Sequence, residues 1–144
     1  LPWWVKPESV KFGYPGTEEV YAGRRITFLD AILKDQPGTH WMYDGRTGTL
    51  FTADAFGYLF PETADPYLDD QLEDGIPADW LRRYHEAAFR FLKLSSGAKV
   101  VADFDRVFSN RDVSVIAPTH GNAIRGNLGQ CRQRFTDVML EICK

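Results

Sequence analysis

The chain has 144 residues, is 44% hydrophobic and 14% aromatic, and carries a formal net charge of −3 with a pI near 5.6. That is enough apolar material for one domain with a sizeable core, and it excludes a disordered chain. The acidic balance, without a basic stripe, excludes a nucleic-acid footprint, and no apolar run of about 18 residues offers a membrane span.

The chain opens "LPWWVKPESV", without an initiator methionine. It is expected to be a processed product, an excised domain or part of a longer polypeptide. The opening does not read as a signal peptide. Cys131 and Cys143 are too few for a disulfide framework and lack zinc-ribbon spacing. A cytoplasmic location is the expectation.

Residues 1–37 read as short strands joined by Gly and Pro turns. "EEVYAG" and "RRITFLDAI" are the candidates, with Gly23 turning between them. A hairpin follows, with strands from Thr39 to Tyr43 and from Thr49 to Ala53. Asp44, Gly45 and Gly48 supply its turn. The acidic stretch "PETADPYLDDQLEDGIP" is a long loop. The spacing of Trp80, Leu81, Tyr84, Ala88, Phe91 and Leu92 predicts one helix over 78–96. "GAKVVADFDRVFS" is a second amphipathic helix, with Val100, Val101, Phe104, Val107 and Phe108 inward. "VSVIAP" is a short β-branched strand ended by Pro118, and "THGNAIRG" is a loop. The final helix, "NLGQCRQRFTDVMLEIC", turns Leu128, Cys131, Phe135, Val138, Met139 and Ile142 to one side. Strands, hairpin, two helices, strand and helix make a layered α+β or α/β arrangement, because helices must cover a sheet.

Three histidines are available. His85 lies inside a helix with no ligand spacing around it and reads as structural or exposed. His40 stands at the entrance of the hairpin and Asp54 at its exit. Their midpoint is Thr47, so a hairpin centred there sets them opposite each other, with Cβ atoms roughly 5 Å apart. His120 leaves the carboxyl end of "VSVIAP", where α/β proteins place reactive groups. Imidazole and carboxylate suit zinc, iron or manganese, and a carboxylate can bridge two ions. On spacing alone, the other reading of the hairpin pair is an ordinary cross-strand His40–Asp54 hydrogen bond.

"HWMYDGRTGTLFTADAFG" followed by "VIAPTHGNAIRG" resembles the later half of the metallo-β-lactamase-fold domain of flavodiiron proteins and their oxygen-binding diiron relatives. The matching pieces, in order, are His40-Trp41, Ala53-Asp54-Ala55-Phe56-Gly57, Pro118-Thr119-His120-Gly121 and Arg125-Gly126. The resemblance runs from about residue 20 to the end. It implies half of an αβ/βα sandwich and a centre of two metal ions, iron first, with zinc or manganese as alternatives. It implies Asp54 as the bridging carboxylate, His40 as a terminal ligand of one ion and His120 of the other. The implied activity is binding or reduction of dioxygen or nitric oxide.

The sequence departs from that pattern in three places. Met42-Tyr43-Asp44 stands where the family has Pro-Asp-Ser. The family's His-x-Glu/His-x-Asp-His cluster from the first half of the fold is missing, and no flavodoxin-like segment follows, so no flavin site is expected. Residues 1–144 therefore read as a single domain or as the C-terminal part of a larger one. The rest of the site is expected from a missing half, a second chain or another copy. That partner would also cover the apolar sheet face formed by "ITFLDAI", "TLFTAD" and "VSVIAP". The alternatives are a zinc-dependent ester or thioester hydrolase on the same fold, and a binding module that has lost the metal.

Overall fold

The structure, a computed structural model, describes residue 6 and residues 13–59 and 72–143. Most of the acidic loop read at 61–77 lies outside the described residues. Its last part, 72–77, is irregular and leads into a helix.

Strand β1 (Glu18–Tyr21) and strand β2 (Arg24–Asp30) are joined by Ala22 and Gly23 alone. Both residues have positive φ, 49° and 77°. That is the two-residue hairpin turn whose twist matches the flanking strands. Strand β3 (His40–Asp44) pairs antiparallel with β2, and strand β4 (Thr49–Phe51) pairs antiparallel with β3. Strand β5 (Val115–Ala117) adds in parallel to β4, giving a five-stranded mixed sheet in the order β1-β2-β3-β4-β5. An isolated antiparallel bridge ties Ile116 to Ile124.

The β3–β4 turn is built around Asp44, which is almost fully buried. Its carboxylate accepts from the Arg46 N–H and the Thr47 hydroxyl and pairs with the Arg24 guanidinium. Burial works to raise this carboxyl's pKa, but those three donors outweigh it and hold it below the ordinary range.

Helix α1 (Ala78–Ala88) ends earlier than its apolar spacing suggests. At Phe89 the backbone leaves the helix, with φ −123° and ψ 63°, and a short 3-10 helix continues over Arg90–Leu94. The break turns Phe89 fully inward, leaves Leu92 buried and carries Phe91 out to 44% exposure, so Phe91 does not belong to the inward stripe. Helix α2 (Gly97–Ser109) starts where Ser96 caps the Lys99 N–H, and helix α3 (Leu128–Ile142) where Asn127 caps the Gln130 N–H.

The helices pack on one face of the sheet. On that face Trp41 reaches Phe104 of α2, with ring centroids 5.5 Å apart. Leu29, Leu50 and Ile116 share the face and are buried. Phe56 completes the cluster, stacked 4.0 Å from Phe135 and edge-on to Phe104 and Phe108. Among the described residues the layout is a mixed sheet with three α-helices, an α+β fold.

Candidate metal centre

Asp54 does not sit on the β-ladder. The observed register pairs Met42 with Phe51, Tyr43 with Leu50 and Asp44 with Thr49. Continued outward, that register would set His40 opposite Ala53, not Asp54, and pairing stops at Phe51. The expected His40–Asp54 cross-strand pair is therefore corrected by one residue. The cause is a loop of four residues, 45–48, closed by the Asp44 hydrogen bonds and by Gly48 at φ 63°.

Past β4 the chain coils into a tight turn. The buried Thr52 hydroxyl donates to the Ala55 carbonyl at 2.7 Å, and the Gly57 N–H donates to the Asp54 carbonyl at 3.1 Å. Ala53 and Phe56 both take left-handed backbone conformations, φ 49° and 63°. Each costs about 1–2 kcal/mol for a residue with a side chain. Burial of the Phe56 ring and of Ala55 offsets that cost.

The loop after β5 is fastened to this turn by main-chain hydrogen bonds. Thr52 N–H donates to the Ala117 carbonyl at 3.2 Å, Thr119 N–H to the Ala53 carbonyl at 2.7 Å, and Tyr58 N–H to the His120 carbonyl at 3.3 Å. Gly121, at φ 88°, lies against the Tyr58 ring, where an added Cβ would come within 2.6 Å. His120 is thereby brought to Asp54 across 66 positions of sequence, with Nε2 3.7 Å from Oδ1. That distance is too long for a hydrogen bond. It is about the spacing of two donors that each sit roughly 2.1 Å from one ion.

His40 opens β3, paired with Asp30. Its Nδ1 donates to the Gly38 carbonyl at 2.8 Å, which leaves the Nε2 lone pair for a ligand. His40 and Asp54 line one open pocket of about 430 Å³, together with Asp35, Thr39 and Thr119. The donor set fits a metal in kind, but it is incomplete. Among the described residues no group of three or more His, Cys, Asp or Glu converges closely enough to hold an ion.

His85 is fully buried, in keeping with a structural role. Its Nδ1 donates to the Leu81 carbonyl at 2.7 Å, and its Nε2 accepts from the Phe56 N–H at 3.2 Å. Burial pushes its pKa down to about 4, against a small upward pull from the Leu81 hydrogen bond. Two further groups at the site escape a reading based on ligand patterns. The Asp35 carboxylate lines the pocket and accepts from the Thr39 hydroxyl at 2.6 Å. Tyr84, which periodicity assigns only to the apolar stripe, lies with its ring centroid 5.5 Å from that of His120 and packs against Gly57. Burial first, then the Asp54 charge, drives the Tyr84 hydroxyl's pKa well upward.

No protein-family model matches the sequence, and no curated protein matches it. Solved structures do match its fold. A mutant of the flavo di-iron protein from Thermotoga maritima superposes with a TM-score of 0.66 at 18% identity, over 90% of this chain and 31% of that one. The flavodiiron core of Flv1 from Synechocystis gives 0.63 at 22% identity, over 87% and 29%. Rubredoxin oxygen:oxidoreductase from Desulfovibrio gigas gives 0.58 at 19%, over 88% and 30%. The chain spans about a third of the length of these proteins. Its fold is that of part of the metallo-β-lactamase-like domain of flavodiiron proteins.

Proposed function

We propose that this chain supplies one side of a two-metal centre in a larger metallo-β-lactamase-like domain. The complete protein would be a non-heme diiron protein that binds or reduces dioxygen or nitric oxide. The observation that carries the reading is the 3.7 Å approach of His120 Nε2 to Asp54 Oδ1, on a fold shared with flavodiiron proteins. Asp54 would bridge the ions, His40 would hold one through Nε2, and His120 would hold the other. When bound, the iron pair supplies the redox chemistry. The residues of this chain supply orientation: the Gly38 carbonyl fixes the His40 tautomer, and main-chain hydrogen bonds fix the distance from Asp54 to His120.

The remaining ligands belong to residues outside 1–144, as does the electron donor. The same partner would cover the outward sheet face, where Met42 and Phe51 stand exposed beside half-buried Phe28 and Ala117. Among the described residues no helix is long and apolar enough to cross a membrane, and a cytoplasmic location accompanies the proposal.

Metal analysis of the complete protein, with and without Asp54→Ala, tests the reading. Two irons per polypeptide are expected, with colour that changes on exposure to oxygen, and metal and activity should be lost together in the variant. Colourless zinc with ester hydrolysis would replace the diiron reading by a hydrolase. A complete protein without metal would leave a binding module.

A further inference from the structure

Resting on the metal-centre reading, we propose that Tyr58 is a positioning residue that fixes the orientation of the His120 imidazole towards Asp54. The His120 side chain is 52% exposed, with the Tyr84 ring beside it, so packing around the imidazole does not fix it. Its placement comes from the loop that carries it. That loop is closed at its base, where Ile116 and Ile124 exchange main-chain hydrogen bonds at 2.9 and 2.8 Å. Closure at the base sets where the loop starts and ends, not which way its tip leans. Tyr58 meets the tip at three consecutive residues. Its N–H donates to the His120 carbonyl at 3.3 Å, its ring lies on Gly121, and its hydroxyl accepts from the Asn122 N–H at 3.1 Å.

Tyr58 is a firm anchor for local reasons. It directly follows Gly57, where the Asp54 turn ends, and it is fully buried, its ring stacked on that of Trp80 in α1 with centroids 6.3 Å apart. At Gly121 backbone and ring meet with no side chain between them, since an added Cβ would come within 2.6 Å of the ring. Packing accounts for the ring but not for the oxygen. A phenylalanine would fill the same space and meet Gly121 alike, whereas the hydroxyl takes the N–H of the residue two positions beyond the proposed ligand. Main-chain bonds set how far the His120 loop stands from the Asp54 turn; the Tyr58 hydroxyl sets which way the loop leans. Without it, the loop tip keeps its fastenings at Thr119 and His120 and loses the one at Asn122. Contacts that orient a metal-binding side chain typically contribute about 10–100-fold in metal affinity, and one that acts through the backbone belongs at the lower end.

The test titrates cobalt(II), whose visible absorption reports ligand geometry, into the metal-free complete protein. Tyr58→Phe is expected to hold one ion as the wild type does and to bind the other about 10-fold more weakly, with a shifted absorption. His120→Ala should weaken the same ion, which identifies it. Before metal is added, the Asn122 amide of Tyr58→Phe should exchange with deuterium faster than that of the wild type. Wild-type affinity and absorption for both ions in Tyr58→Phe would overturn the inference while leaving the metal centre intact. Equal weakening of both ions would overturn it as well, because the hydroxyl would then support the whole fold and not the His120 loop. If Asp54→Ala and His120→Ala both keep cobalt(II) at wild-type affinity, the metal-centre reading is what fails. The orientation of the loop is then decided by amide exchange alone: unchanged exchange at Asn122 in Tyr58→Phe overturns it too.

Discussion

Neighbouring residues of the sheet live in different worlds. Trp41 and Leu50 face the helices and have no exposure, whereas Met42 and Phe51, each one position along, keep 36% and 37%. Strand alternation makes both faces apolar here, but only one is closed by elements of the described chain. On the closed face, stability is settled locally by α2, α3 and the Phe56 cluster. On the open face, apolar side chains are in place before anything covers them, as expected of a layer that forms half of a sandwich. Stability and completeness are separate properties in this molecule, carried by alternate residues of the same strands.

The sharpest way to break that contrast is to cut the two faces side by side. Leu50→Ala should cost about 2–5 kcal/mol, read from the denaturant midpoint of unfolding. A second effect belongs to the closed side alone. His85 is pushed down to about 4 in the folded protein from an ordinary value of 6.5, so the unfolded chain takes up its proton first. Stability from this group is complete above about pH 6.5 and drains as pH falls towards 4, by about 3 kcal/mol in all. Unfolding followed at pH 7 and pH 4.5 should show the loss, and His85→Gln should flatten the profile in that window. The smallest effect is the most telling. Phe51→Ala should change the stability of this chain by no more than about 0.5 kcal/mol. In the complete protein the cost should rise towards that of a core position. Equal costs in the two settings would mean that no second layer covers this face.

Much of this architecture is legible in the sequence, and the gaps have physical reasons. Ser96 before Gly97 marks the start of α2, and the heptad-like apolar spacing of α3 outlines its buried face. The break at Phe89 carries no Gly or Pro. It follows from the pull of a fully buried ring that stacks on His85, a tertiary effect that periodicity does not encode. The hairpin is missed by one residue because Asp44 accepts hydrogen bonds from its own turn and closes a four-residue loop. At the site, residue types at 40, 54 and 120 are readable from spacing and resemblance. Tyr84 and Asp35 are not, because their relation to Asp54 arises only once α1 and the 35–39 loop are folded against it.

Three of the hydrogen bonds that join the Asp54 turn to the strand and loop around His120 run from main chain to main chain, beside one from the Asn122 N–H to the Tyr58 hydroxyl. Main-chain bonds are indifferent to which side chain stands at either position. The distance between the two stations is therefore inherited with the backbone, and their chemistry is inherited separately, one substitution at a time. A lineage carrying this scaffold can exchange a ligand, lose a metal or regain one without redrawing the fold. That makes the geometry a more durable record of ancestry than the residues that occupy it.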